Sequence, residues 1–303
     1  MAISRAKLLK ELEPGLNAIF GVEYSRYENE DVPLFEKEKS NRAFEEEVLF
    51  PGFGAAGIKP EGQGVSYATT GESWVSRYTH DTIALAFALT EESMEDNLYD
   101  KLSARLSKAL ARSMAHTRQT IAANVYNNAF STSYLGGDGD SLCSTSHSIK
   151  SGGSDLANRP STEVDLSETS LEAALITIAG WTDDAGIPVA LPVKSLHIPR
   201  DLVFVAERLL MSPYRVDSAN NDVNDVYNMG AVPGGYHVNH RFTDTDAWFV
   251  RTDCPDSMKH FERKPVSTKM EGDFETGNVR FKARERYSYG WSDWRGVYGS
   301  SGG

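Results

Sequence analysis

From Ser93 to Phe130 the sequence runs without a glycine or proline, and large or medium apolar residues recur at Leu98, Leu102, Leu106, Leu110, Met114, Ile121 and Val125. Steps of mostly four residues are helical spacing. Lys101, Arg105, Lys108, Arg112 and Arg118 fall on the other face, and Glu91, Glu92, Glu95 and Asp96 sit at the start, where the positive end of a helix dipole favours carboxylates. A helix over 93–130 would be a rod of roughly 50 Å at about 1.5 Å per residue. A compact chain of 303 residues has a radius of gyration near ~19 Å, so the rod crosses it completely. Coiled-coil heptads with flanking charges are missing. The expectation is a spine laid against a sheet, its leucines inward.

The rest of the composition narrows the function classes. The chain is long enough for one large or two modest domains. With 43 acidic against 31 basic residues, a net charge of -12 and a pI near 5.1, it is not a general nucleic-acid binder, which needs clustered Lys and Arg. Two distant cysteines, Cys143 and Cys254, fit buried thiols in a reducing compartment better than a disulfide framework. No signal-length or membrane-length apolar run is present, so a soluble protein that is not exported is expected.

Before the spine, residues 3–20 read as an amphipathic helix broken at Pro14-Gly15. An acidic stretch from Glu23 to Glu47 follows, with Tyr24, Tyr27, Phe35 and Phe44 interspersed. It is either a surface loop or an arm that lays its aromatics on a neighbouring subunit. In the glycine-rich stretch 50–82, alternating Val65 and Tyr67, then Trp74, Ser76 and Tyr78, flank Thr70-Gly71-Glu72; this predicts a two-stranded ribbon. Ile83 to Leu89, with large residues on one face and alanines on the other, predicts a strand buried on both faces.

After the spine, 134–160 is a polar loop. Residues 165–252 read as a compact α+β unit: a capping box at Thr169 and Glu172, a strand Val193–Ile198, a second helix, and a hairpin of 236–242 with 247–250. In the last segment Val279, Phe281 and Ala283 alternate with Arg280, Lys282 and Arg284, and Trp291 and Trp294 lie close to the end. Tryptophans so placed are expected to be pinned in a core.

No phosphate loop, dinucleotide fingerprint, nucleophile elbow, H-E-x-x-H or paired C-x-x-C occurs in a fitting context. Asp138 and Asp140 lack the glutamate that closes an EF-hand loop. Cys143 and His147 have no second pair to complete a zinc site. His237 and His240, three apart in a strand, point to opposite faces. No catalytic group, cofactor or metal is expected, and the residues alone imply a soluble, acidic, two-part α+β protein that assembles.

The order of these parts resembles a tailed-phage major capsid protein of the Hong Kong 97 fold, and within it the Mu-like head subunits. The stretches that carry the resemblance are Leu166–Leu171, Asp183-Asp184-Ala185-Gly186-Ile187-Pro188-Val189 and, most specifically, Arg286–Gly299 with its Tyr-Ser-Tyr-Gly-Trp-Ser-Asp-Trp-Arg-Gly core. The resemblance covers almost the whole chain. It implies an N-terminal arm at 1–47, an extended loop at 48–82, a peripheral domain at 83–164 with 253–303, and an axial domain at 165–252. A protein of this kind builds hexamers and pentamers of itself into an icosahedral phage head around double-stranded DNA, in the cytoplasm of a bacterial host. The resemblance also implies a portal, a decoration protein in some members and, with no built-in N-terminal scaffold, a separate scaffolding protein.

The expected subunit-contact residues are Tyr24, Tyr27 and Phe35 of the arm, Tyr67 and Trp74 of the ribbon, and the acids Glu45, Glu46 and Glu47 as partners of Arg280, Lys282 and Arg284 in the same or an adjacent subunit. Two alternatives stay open: an encapsulin-like compartment shell, which would enclose protein cargo, and a hydrolase with an unrecognised site.

Overall fold

The computed structural model describes residues 5–27, 29–68, 71–90, 92, 99–149, 153–215, 222–273 and 275–303. The long helix is α2, Tyr99–Asn127, 29 residues; positions 93–98 of the expected span lie outside the described residues. Its inward face is turned relative to the leucine row. Buried are Ser103, Ser107, Leu110, Ala111, Met114, Ala115, Ala122, Ala123 and Tyr126, whereas Leu102 is 42% exposed and Leu106 only half-buried. Small side chains explain the turn, because they let a second helix lie close.

That helix is α1, Arg5–Arg26, which continues through Pro14. The expected break does not occur. A proline inside a helix removes one backbone hydrogen bond, but Leu16 and Phe20 bury themselves against Leu110, Ala111 and Met114 of α2, with Tyr24 half-buried beside them, and Ser107 Oγ donates to the Leu16 carbonyl at 3.2 Å. Tyr24 is therefore a helix residue facing its own subunit: its ring stacks on Phe20 and its hydroxyl donates to Glu285 at 3.0 Å.

Both helices are placed against a four-stranded sheet formed by β1 (Glu36–Lys39), β8 (Met258–Gly272), β9 (Val279–Trp291) and β4 (Asp81–Leu89), in that order. The pairs β8–β9 and β9–β4 are antiparallel and β1–β8 is parallel. As an edge strand, β4 turns Ile83 and Phe87 toward α1 and α2, while Ala84, Ala86 and Ala88 are exposed. The burial expected for the alanine face is absent within the subunit.

The second sheet, in the order β10-β7-β5-β6, comprises β5 (Val193–Pro199), β6 (Tyr236–Asn239), β7 (Trp248–Thr252) and β10 (Val297–Ser300). Its core joins Leu196, Ile198, Trp248 and Val250 with Leu171 and Ile178 of α3 (Glu168–Ala179), Ala206 and Leu210 of α4 (Val203–Met211), and Trp181 and Trp294. Trp294 is indeed in the core. The expected hairpin of 236–242 with 247–250 does not form, since the buried strand β5 lies between β6 and β7 and pairs with both. The helix cap is likewise shifted: Ser167, in extended conformation, caps α3 together with Ser170.

Residues 44–48 and 75–79 form the third sheet, β2 and β3, in register from Phe44 opposite Thr79 to Val48 opposite Val75. The ribbon thus has a different partner from the one the sequence suggests. Trp74 continues the ladder with Leu49, and the described residues between them carry no strand.

Candidate assembly interface

The β2–β3 hairpin presents the loop 50–73, and its base is tied down by charge. Ser73 donates to Asp184 at 3.0 Å, Asp184 accepts from Arg295 at 2.8 Å, and Asp293 holds the same guanidinium. On the other side Ser292 bridges Tyr78 and Glu47, and the buried Lys259 ammonium gathers Glu38, Glu47 and Asp256. Burial alone would lower the Lys259 pKa, but the hydrogen bonds to Asp256 and Glu38 and the charge of Glu47 raise it. This lysine is a fixed cation, not a nucleophile.

Past that base the loop has little of its own to pack on. Ile58 is 98% and Tyr67 96% exposed, and Phe50, Phe53 and Val65 are also open to solvent. Apolar surface this dense marks an interaction site. The sequence reading found Tyr67 but missed Phe50, Phe53 and Ile58, which lie among glycines without strand alternation. Trp74 is half-buried at the loop's foot.

The other expected contact residues divide. Phe35 is 4% exposed and packs on Tyr126 and Tyr289, so it is a core residue of its own subunit. Tyr27 bonds locally to Glu23 at 2.9 Å. Glu45 accepts from Ser40, Glu46 lies 3.8 Å from Arg77, and Glu47 belongs to the Lys259 group. Within the subunit these acids do not meet Arg280, Lys282 or Arg284. Arg280 pairs with Asp273 at 2.5 Å, and no ion pair of Lys282 or Arg284 occurs among the described residues.

Ligand atoms of Asp138, Asp140 and His147 lie within 4.8 Å of one another. His147 is nevertheless engaged at both nitrogens, by Asp138 at 2.7 Å and Asn158 at 3.0 Å, and its ring stacks on Trp294. His237 stacks on His197, and His240 bonds to Glu30. Both cysteines are buried and free, and burial raises both thiol pKa values. No described helix is long and apolar enough to cross a membrane.

Residues 74–300 match the family described as phage capsid protein. The chain belongs to that family. This capsid protein also shares its fold with solved shells. It is similar to a virus-like particle from Pyrococcus furiosus (10% identity, 94% of this chain and 97% of that one, TM-score 0.53). It is similar to the capsid of an empty GTA particle (12% identity, 89% of each chain, TM-score 0.57) and to Mycobacterium phage Che8 (12%, 88% and 89%, TM-score 0.51). No curated protein matches the capsid protein. Its mixed α/β architecture is that of a phage capsid subunit, and its family role is structural.

Proposed function

We propose that this chain is the major head subunit of a tailed phage, with a Hong Kong 97-like fold nearest the Mu-like subunits, and that it assembles through hexamers and pentamers into a shell around double-stranded DNA. The observation that carries the proposal is the loop 50–73, whose Phe50, Phe53, Ile58, Val65 and Tyr67 are exposed in the single subunit. Burying each such side chain is worth about 1.5–3 kcal/mol, and a neighbouring copy is the surface always at hand. In this reading 48–82, with the loop and β3, is the extended loop, α2 is the spine, and the unit around β5 faces the symmetry axes. Residues 1–47 serve as the arm, although their first part is helix α1 and is packed on the subunit itself.

A scaffolding protein, a portal and the host cytoplasm as the place of assembly belong to the same proposal. The shell encloses DNA without sequence-specific grip, in keeping with a net charge of -12. Expressing the chain together with its scaffolding protein and imaging the product by electron microscopy tests the proposal. Closed shells are expected, and extracting their contents separates a genome-enclosing shell from an encapsulin-like one by the presence of nucleic acid or of packaged protein.

A further inference from the structure

On the face of the first sheet turned away from α1 and α2, Glu271 stands opposite Arg280, but the two neighbouring charged positions bring like charges together. Lys269 stands directly opposite Lys282, and Lys264 directly opposite Arg286. Like charges facing each other across a strand pair are destabilising. Lys264, Lys269 and Lys282 are exposed, and Ala84 and Ala86 of β4 adjoin Arg284 and Lys282 in register, so nothing tall screens the cations. Lys269 pairs with Glu271 and Arg280 with Asp273, each cation largely exposed, while no ion pair of Lys264, Lys282, Arg284 or Arg286 occurs among the described residues. On a chain with twelve excess negative charges, a concentrated basic face of this kind calls for an acidic partner.

The same chain offers one. At the foot of the projecting loop a cavity of about 560 Å³ is lined by Glu38, Glu47, Asp183, Asp184, Asp256 and Asp293. The cations there, Lys259 and Arg295, are buried and engaged, while Asp256 is 78% exposed and Glu38 nearly half so. We infer that the basic face of β8 and β9 docks against this acidic mouth on a second copy of the chain. The contact joins two different patches, so it is head-to-tail, the type that closes into rings. The inference rests on the shell reading proposed above and names the surfaces that shell would use. Carboxylates fit better than packaged phosphate as the occupant, because every additional copy brings an acidic mouth with it.

The opposed lysines give the contact a signature that ordinary structural residues lack. Replacing Lys282 with Glu converts a repulsive cross-strand pair into an attractive one, so K282E should melt at a higher temperature than the wild-type subunit and yet lose assembly. Particle formation in the absence of nucleic acid, followed by light scattering against protein and salt concentration, reads the second effect. The wild-type and K282R chains should form particles, with a threshold that rises with salt as opposite charges are screened. For K282E the threshold should rise at least about tenfold, which corresponds to 1.4 kcal/mol per contact. Normal assembly of a folded K282E chain would overturn the inference and leave the shell reading intact, as would a K282E defect confined to retention of DNA. A wild-type chain that forms no particles under any condition would overturn both.

Discussion

Arg118, near the middle of the long helix, places its Nη2 2.7 Å from Asp31 Oδ2, and the Tyr289 hydroxyl donates to the same carboxylate oxygen at 2.8 Å. The N-terminal segment is therefore tied to α2 and β9 by one buried ion pair. Breaking a buried pair from one side costs about 3–5 kcal/mol, because the other charge is left without compensation. Arg118→Met and Asp31→Ala should each lose stability on that scale in urea denaturation. The double variant should lose less than the sum, and strict additivity would mean that the pair is not coupled.

Close by, two titrating groups are set against each other. Burial raises the Glu285 carboxyl to about 7, against the lowering influence of the Tyr24 hydroxyl and Arg118. Burial, with help from Arg118, lowers His260 to about 4. From pH 4.5 to 7 the folded chain holds a proton on Glu285 that the unfolded chain has released, so this group's contribution to stability falls as pH rises. From pH 4 to 6.5 the unfolded chain holds a proton on His260 that the folded chain lacks, so that contribution rises. The two oppose across pH 4.5–6.5. Glu285→Gln removes the first and should reveal stability that climbs by up to about 3 kcal/mol between pH 4 and 6.5. A denaturation series across pH 4–8 that matches wild type would refute the assignment.

The periodicity of the sequence carried the long helix and the alternation at 279–284 that opens β9, since each depends on a local repeat. It did not carry the helix's facing. Leucine outranks serine and alanine in any hydrophobic count, yet close approach by Leu16 selects Ser107 and Ala111. The partner of strand 75–79 was equally out of reach: Phe-Glu-Glu-Glu-Val at 44–48 has the composition of a solvated arm, and its pairing closes a long loop that no local pattern encodes. The Lys259 group draws on residues far apart in sequence, and among the expected interface residues Phe35 and Tyr24 proved to be occupied at home.

Close packing at the C-terminal strand gives a third prediction. A Cβ on Gly299 would stand 2.6 Å from Phe249 Cδ1 and 3.0 Å from Cys143 Sγ. Overpacking a well-filled core costs about 1–3 kcal/mol, so Gly299→Ala should lower the melting temperature. It should also expose Cys143, whose buried thiol in the wild-type chain reacts with a thiol reagent only on unfolding. Unchanged melting and unchanged labelling would mean that β10 is free to shift.

The projecting loop is expected to matter between subunits and not within one. Replacing 51–72 by a short glycine linker keeps the Leu49–Trp74 pairing and the Ser73–Asp184 bond. Circular dichroism and melting should then match wild type while particles fail to form. Global unfolding of the variant would place the loop in the subunit's own core.

Electron microscopy of the chain assembled with its scaffolding protein, taken together with its sedimentation, is the most direct test of the account. Closed, uniform, icosahedral shells are the predicted result. A chain that sediments as a folded monomer at every concentration, including in lysates where its assembly partners are present, would contradict it.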